Sequence, residues 1–260
     1  MYYPIQIPYI LNQEFAKGIN YRELPLPEFE GLAICLWEML PSEKTSKSMK
    51  NIIIADACID IIVDFEKEQI GFSGMSQTDF DFKVVDSGKS FGIRLLPGVF
   101  HQLTGLSAMV AMDNFLEFSA VFLEFDQTAL FKLDFPVAQQ VLRKFIKEQL
   151  QARESDKFVA FFNELWINPP VNTAELYQRS QFSPRQCQRL FKKSFGLTPK
   201  MLLSIIRFQK CLIALTKSKQ TPAEILKITN FYDQAHFIND FKRNIGITPQ
   251  QLLSIYQTTQ

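Results

Sequence analysis

The chain has 260 residues, 47% of them hydrophobic, and a formal net charge of +1, which allows two globular domains of ordinary size and excludes a disordered polyelectrolyte. No apolar run approaches the ~18 residues of a membrane span, and Met1-Tyr2-Tyr3-Pro4 lacks the basic and apolar stretches of a signal peptide, so a cytoplasmic protein without membrane contact is expected. The mean charge conceals a polarity: from Asn172 onward 13 Lys and Arg stand against 4 Asp and Glu, a balance of +9, while the preceding residues carry −8, as expected for a polyanion-binding half joined to a half with another task.

Up to about residue 125 the pattern is β-rich. Ile59-Asp60-Ile61-Ile62-Val63-Asp64-Phe65, Phe80-Asp81-Phe82-Lys83-Val84-Val85 and Phe91-Gly92-Ile93-Arg94-Leu95-Leu96 read as strands separated by turn residues, which predicts a sandwich or barrel. From Pro136 the period lengthens, and Val137, Val141, Leu142, Phe145, Ile146 and Leu150 follow helical spacing. A second helix, from about Asp156 to Ile167, has Phe158, Phe161, Phe162, Leu165 and Trp166 to bury. Asn168-Pro169-Pro170 cannot continue it, because proline lacks the amide donor and restrains its predecessor. The expected class is α+β with two domains: a β-rich sensor or dimerisation domain (residues 1–125), a helical connector (126–171) and an all-α region (172–260).

Helix starts are well marked in that last region. Ser183-Pro184-Arg185-Gln186 and Thr221-Pro222-Ala223-Glu224 each offer a capping hydroxyl, a proline at the first helical position and a Gln or Glu three residues after the cap. Thr198-Pro199 and Thr248-Pro249 repeat the cap and proline, and Gly196 and Gly246 supply the left-handed residue that ends a helix. Helices are predicted near 173–180, 184–195, 199–216, 222–229, 234–244 and 249–257. Phe191-Lys192-Lys193-Ser194-Phe195-Gly196-Leu197-Thr198-Pro199 returns 50 positions later as Phe241-Lys242-Arg243-Asn244-Ile245-Gly246-Ile247-Thr248-Pro249. One supersecondary unit is therefore used twice, as a pair of helix-turn-helix units joined by a long helix.

On the helix opened by Ser183, Cys187, Leu190 and Phe191 share the inward face, leaving Arg185, Gln186, Gln188, Arg189, Lys192 and Lys193 outward. Arg pairs in bidentate fashion with guanine and Gln with adenine in the major groove, while lysines near the helix end suit phosphates. In the second copy Gln234, Ala235, Ile238 and Asn239 replace most of the charge on the outward face, with His236 nearby and Lys242 and Arg243 at the end, and Asn239 stands where Arg189 stands in the first. The first unit is thus expected to read bases and the second chiefly to anchor phosphates. Residues 170–260 are expected to fold alone and bind duplex DNA.

Ser183-Pro184-Arg185-Gln186-Cys187-Gln188-Arg189-Leu190-Phe191-Lys192-Lys193, Asp233-Gln234-Ala235-His236-Phe237, Phe241-Lys242-Arg243 and Gly246-Ile247-Thr248-Pro249 resemble the DNA-binding domain of the AraC/XylS transcriptional regulators from about Asn172 onward. Departures lie in the second unit: Leu226 for a small residue, Asn230 for a turn glycine, Tyr232 for a serine and Asn239 for a basic residue. The resemblance implies a bacterial regulator that binds double-stranded DNA, has RNA polymerase as a partner, and senses a small-molecule effector or forms a homodimer through its N-terminal domain. Asp56-Ala57-Cys58-Ile59-Asp60-Ile61-Ile62 and Gly92-Ile93-Arg94-Leu95-Leu96-Pro97-Gly98 resemble an N-terminal domain often joined to this module.

Other functions fit less well. A metal-dependent enzyme of the cupin type needs clustered histidines, yet the chain has only His101 and His236, so neither metal nor cofactor nor catalytic set is expected. His101 beside Phe100 reads as a packed or hydrogen-bonded structural residue. Cys35, Cys58, Cys187 and Cys211 lack metal-type spacing and read as reduced, buried thiols. The remaining alternative makes the N-terminal half a dimerisation or partner-binding scaffold alone.

Overall fold

The computed structural model describes residues 2–5, 18–42, 49–52, 54–74, 81–84, 88–216, 224–225 and 234–259. The strands are β1 (Ile19–Leu24), β2 (Ala33–Pro41), β3 (Met49–Ile52), β4 (Ile59–Asp64), β5 (Gln69–Ser73), β6 (Asp81–Val84), β7 (Ser90–Leu95) and β8 (Phe115–Glu117). Six form an antiparallel sheet in the order β1-β2-β7-β4-β5-β8, and β3 pairs with β6 in a separate ribbon. The alternation read in the sequence is realised on β4, where Ile59, Ile61 and Val63 are buried and Asp60, Ile62 and Asp64 are less so. Of the predicted strand at 80–85, residues 81–84 form β6, and Phe80 and Val85 lie outside the described residues. The region also holds a helix that the β-rich reading passed over, α1 (Val99–Thr104), with Val99, Phe100, Gln102 and Leu103 buried.

Central β7 is buried from Phe91 through Leu95, although Arg94 lies in that run. Arg94 donates to Glu23 Oε1 at 2.9 Å, and its Nε lies 3.4 Å from Asp60 Oδ1 and 3.6 Å from Asp56 Oδ2. The hydroxyls of Tyr21 and Tyr3 donate to the two oxygens of Glu23, and that of Tyr2 to the Asp56 carbonyl. Burial pushes the Asp60 carboxyl up to about 6, against the pull of Arg94 and with the help of Asp56. A buried charge survives only where paired and hydrogen-bonded, so this network ties β1, β4 and β7 together at one spot.

Next come α2 (Gln127–Phe131), α3 (Phe135–Gln151) and α4 (Lys157–Ile167). On α3, Gln139 donates to buried Glu38 at 2.7 Å, and Arg143 pairs with Glu28, which fixes the helix to the sheet domain. Phe72, Phe118, Phe125 and Phe145 then pack in series, the first pair stacked, the second edge-on and the third tilted, with ring centres 5.5, 5.0 and 4.7 Å apart. His101 donates through Nδ1 to the Leu106 carbonyl at 2.6 Å, the structural role expected of it. All four cysteines are buried and none forms a disulfide with another.

The C-terminal helices are α5 (Thr173–Ser180), α6 (Pro184–Phe195), α7 (Pro199–Thr216), α8 (Gln234–Ile245) and α9 (Pro249–Thr259). The predicted helix at 222–229 is described only at Glu224 and Ile225, which are helical; Thr221, Leu226, Asn230, Tyr232 and Asp233 lie outside the described residues. Two cores meet along α7. Leu202, Leu203, Ile205 and Ile206 belong to a core continuous with the sheet domain, whereas Phe208, Cys211, Leu212 and Leu215 share a second core with Phe237, Phe241, Ile245 and Leu252.

The two repeat glycines show that difference. Gly196 and Gly246 end their helices at φ +74° and +77°, so any side chain there carries ~1–2 kcal/mol of left-handed strain. A Cβ at Gly196 would also lie 2.7 Å from Met112 Cγ and 3.2 Å from the Ala108 carbonyl, whereas at Gly246 nothing lies within 4 Å. Gly196→Ala is expected to cost ~1 kcal/mol more than Gly246→Ala. Urea denaturation of both variants checks this, and equal losses would mean that the contact with Met112 and Ala108 yields without cost.

Candidate nucleic-acid interface

The first unit is α5, the turn Gln181-Phe182-Ser183 and α6. Asn172 caps α5 by accepting from the Glu175 amide at 3.0 Å, and Gln181 reverses the chain in the left-handed region at φ 57°. The Val171 amide and the Arg179 guanidinium hold Glu175 below the usual carboxylate range. Arg179 also donates to the Asn168 carbonyl at 2.7 Å, so its charge serves the unit's own frame.

A complete capping box opens α6. Ser183 Oγ accepts from the Gln186 amide at 3.3 Å, and Gln186 Oε1 accepts from the Ser183 amide at 3.1 Å. Cys187, Phe191, Ser194 and Phe195 are buried, while Arg185, Gln186, Gln188, Arg189, Lys192 and Lys193 are all exposed. Arg185, Gln188, Arg189 and Lys192 follow spacing i, i+3, i+4, i+7 and form one polar stripe. Gln186 is partly committed, since its amide oxygen serves the cap.

The apolar face of α6 lies against the connector rather than against its own unit alone. Phe161 meets Phe191 with ring centres 6.0 Å apart, and Phe158 and Phe162 meet Phe195 at 5.8 and 6.1 Å. Met112 and Ala108 of the sheet domain close around Gly196. The N-terminal domain therefore holds the back of α6 and leaves its basic stripe uncovered.

In the second unit Phe237, Asp240, Phe241 and Ile245 are buried on α8, and Gln234, Ala235, Asn239, Lys242 and Arg243 are exposed. His236 belongs to α8, but its side chain lies outside the described residues. Asp240 occupies the repeat position of Leu190, and its Oδ2 is buried with no hydrogen-bond partner among the described residues. Arg243 Nη1 approaches Asp240 Oδ1 at 3.9 Å, which draws part of the local positive charge inward. An acid in place of Leu190 follows from the repeat alignment, but the sequence reading overlooked it.

A capped helix-turn-helix unit presenting Arg and Gln side chains, and a second helix of the same repeat that likewise ends in paired basic residues, are the features of a DNA-binding transcription regulator. Within that class, residues 176–254 match the helix-turn-helix domain family. Residues 21–117 match a domain of unknown function. Over 38% of this chain and 99% of the other, the fold is similar to the C-terminal domain of the two-component response regulator yesN from Fusobacterium nucleatum, at 22% identity and a TM-score of 0.35. ToxT from Vibrio cholerae is similar over 92% of this chain and 98% of its own, at 11% identity and a TM-score of 0.44. ToxT with an unsaturated fatty acid bound is similar over 86% and 94%, at 13% identity and a TM-score of 0.39. Comparison with curated proteins gives no match. Among the described residues no helix is long and apolar enough to cross a membrane.

Proposed function

We propose that this regulator sets α6 and α8 into successive major grooves of one duplex. The observation that carries the reading is the stripe Arg185, Gln188, Arg189 and Lys192, exposed on a capped helix whose opposite face is buried against the N-terminal domain. Arg185 and Arg189 present guanidiniums to guanine edges and Gln188 an amide to adenine, while Lys192 and Lys193 meet phosphates. On α8, Asn239 gives a thinner base code, and Gln234, His236, Lys242 and Arg243 supply anchoring. The 18 residues of α7 span ~27 Å at ~1.5 Å per residue, which suits the ~34 Å repeat of the major groove. Residues 172–260 act as the DNA-binding part, 126–171 as connector, and 1–125 as the domain that senses an effector or forms the homodimer, with RNA polymerase as a further partner of the protein in the cytoplasm.

Arg189→Ala is expected to weaken binding to the preferred duplex by ~1–3 kcal/mol and to relax base preference at one position. Asn239→Ala should lose less. Both should show affinity falling steeply with salt, as phosphate contacts release condensed counterions. Selection from random duplexes followed by titration of the two variants checks this, and an equal or larger loss for Asn239 would reverse the assignment of roles.

A further inference from the structure

The two cores divide along α7 between Ile206 and Phe208, and the next residue, Gln209, is fully buried. A glutamine inside a helix is ordinarily a surface residue. Here both ends of its amide are used, and both partners belong to the N-terminal part of the chain. Nε2 donates to the Ala55 carbonyl at 3.0 Å, and Oε1 accepts from the Ile5 amide at 2.9 Å. Beside it, Lys210 lies 4.9 Å over the Trp166 ring of α4, half-buried and with its ammonium pKa lowered by that burial. The neighbour of Ala55 goes further: Ile54, 1% exposed, is part of the second unit's core with Phe208, Leu212, Phe237 and Phe241. Ile5 also packs on that core.

We infer that Gln209 and Ile54 are positioning residues through which the N-terminal domain sets the second helix-turn-helix unit relative to the first. The first unit shares its core with the N-terminal domain through Phe191 and Phe195. Among the described residues, α7 and the seam at Ile5, Ile54 and Gln209 hold the second unit. Backbone groups bonded inside a water-poor seam accept few alternative partners, so the amide of Gln209 sets both the rotation and the height of α7 against the segment 54–56. That segment leads through Asp56 into the Arg94 network and carries the Ala55 carbonyl, so a rearrangement around Arg94 has a short route to the second unit. The consequence for recognition is geometric: the spacing between the two half-sites that one chain accepts is a property of the whole protein, not of its last 90 residues alone.

The inference rests on the reading that both units engage one duplex, and the test separates the two. Full-length protein is titrated against duplexes selected from a random pool, then against derivatives in which the two half-sites are moved apart or together by one and two base pairs, and against a duplex holding the first half-site alone. The expected wild-type penalty for a two-base-pair shift is roughly tenfold or more, because two linked contacts lose their effective concentration when the geometry fails. Gln209→Met, which keeps the volume without the hydrogen bonds, and Ile54→Ala should each reduce that penalty to less than about threefold, while affinity for the single half-site stays within about twofold of wild type. Two variants keep the test decisive if one fails to fold by circular dichroism. Wild-type spacing preference retained in a folded variant of either kind overturns the inference, as does a wild-type protein that binds DNA with no spacing preference. No binding of the wild type to any selected duplex sinks the DNA-reading assignment itself.

Discussion

Arg94→Met is expected to lower stability by ~3–5 kcal/mol near neutral pH, the range for removing one partner of a buried ion network, and by clearly less at pH 5. Arg94 faces Glu23, Asp56 and Asp60, and all four side chains are largely buried. Without the guanidinium, three carboxylates are left beside one another, and the network gains no replacement donor. Asp60 is where the pH dependence enters. Its carboxyl already sits at about 6 in the folded protein, above its ordinary value of 3.8, with Arg94 pulling it down. A folded-state value raised above the unfolded one gives stability that is complete below the unfolded value and is lost as pH rises through the folded value. Removing Arg94 raises the Asp60 carboxyl further, so the variant should recover stability as pH falls from 8 to 5. Wild type should gain modestly over the lower part of that window. Urea denaturation at four pH values measures both curves, and Arg94→Met with Asp60→Asn should recover part of the loss at pH 8. A deficit that stays constant with pH would show that the network is held by something other than charge.

That network also marks where sequence reading stops. On β4 the alternation of Ile59, Ile61 and Val63 with Asp60, Ile62 and Asp64 made the strand and its inner face legible, because one face is buried more deeply than the other. On β7 the same logic puts Arg94 outside, and the fold puts it inside, since burial there depends on carboxylates contributed by β1, β4 and the segment before it. The C-terminal helix boundaries were legible for a local reason. Ser183, Pro184 and Gln186 cap α6, and Gly196 ends it, through bonds made within a few residues. The apolar stripe Phe158, Phe161 and Phe162 was legible too, but not its partner, because periodicity gives a face and never what covers it. Gln209 carries no signal at all in one sequence: its role exists only once Ile5 and Ala55 are brought to it. Asp240 could have been found, since laying the repeat at its offset of 50 sets an acid on Leu190.

The shared core changes the expectation for the isolated DNA-binding region. Phe195→Ala is expected to cost ~3–5 kcal/mol, as for truncating a fully buried aromatic, and to weaken DNA binding although the side chain is on the far side of α6 from Arg189. Phe195 is 2% exposed and meets Phe158, Phe162 and Phe191. A fragment beginning at Asn172 makes a comparable cut, because it removes all of α4 and strips the cover from Phe191 and Phe195 at ~1.5–3 kcal/mol for each side chain newly exposed. The sequence alone placed a boundary at Asn168-Pro169-Pro170, where the helix must end, but a chain break need not be a break in packing. A fragment beginning at Asp156 keeps the helix cap, whose carboxylate accepts from the Phe158 amide at 2.8 Å, and keeps the three phenylalanines of α4. It should therefore unfold at a higher urea concentration than the fragment beginning at Asn172 and bind the selected duplex more tightly, though both carry every basic residue of the two units. Both fragments leave behind Ile54 and Ala55, so both should show a relaxed half-site spacing. Equal stability of the two fragments would place the limit of the DNA-binding domain at the prolines and confine the contacts of Phe158, Phe161 and Phe162 to fixing its position on the N-terminal domain.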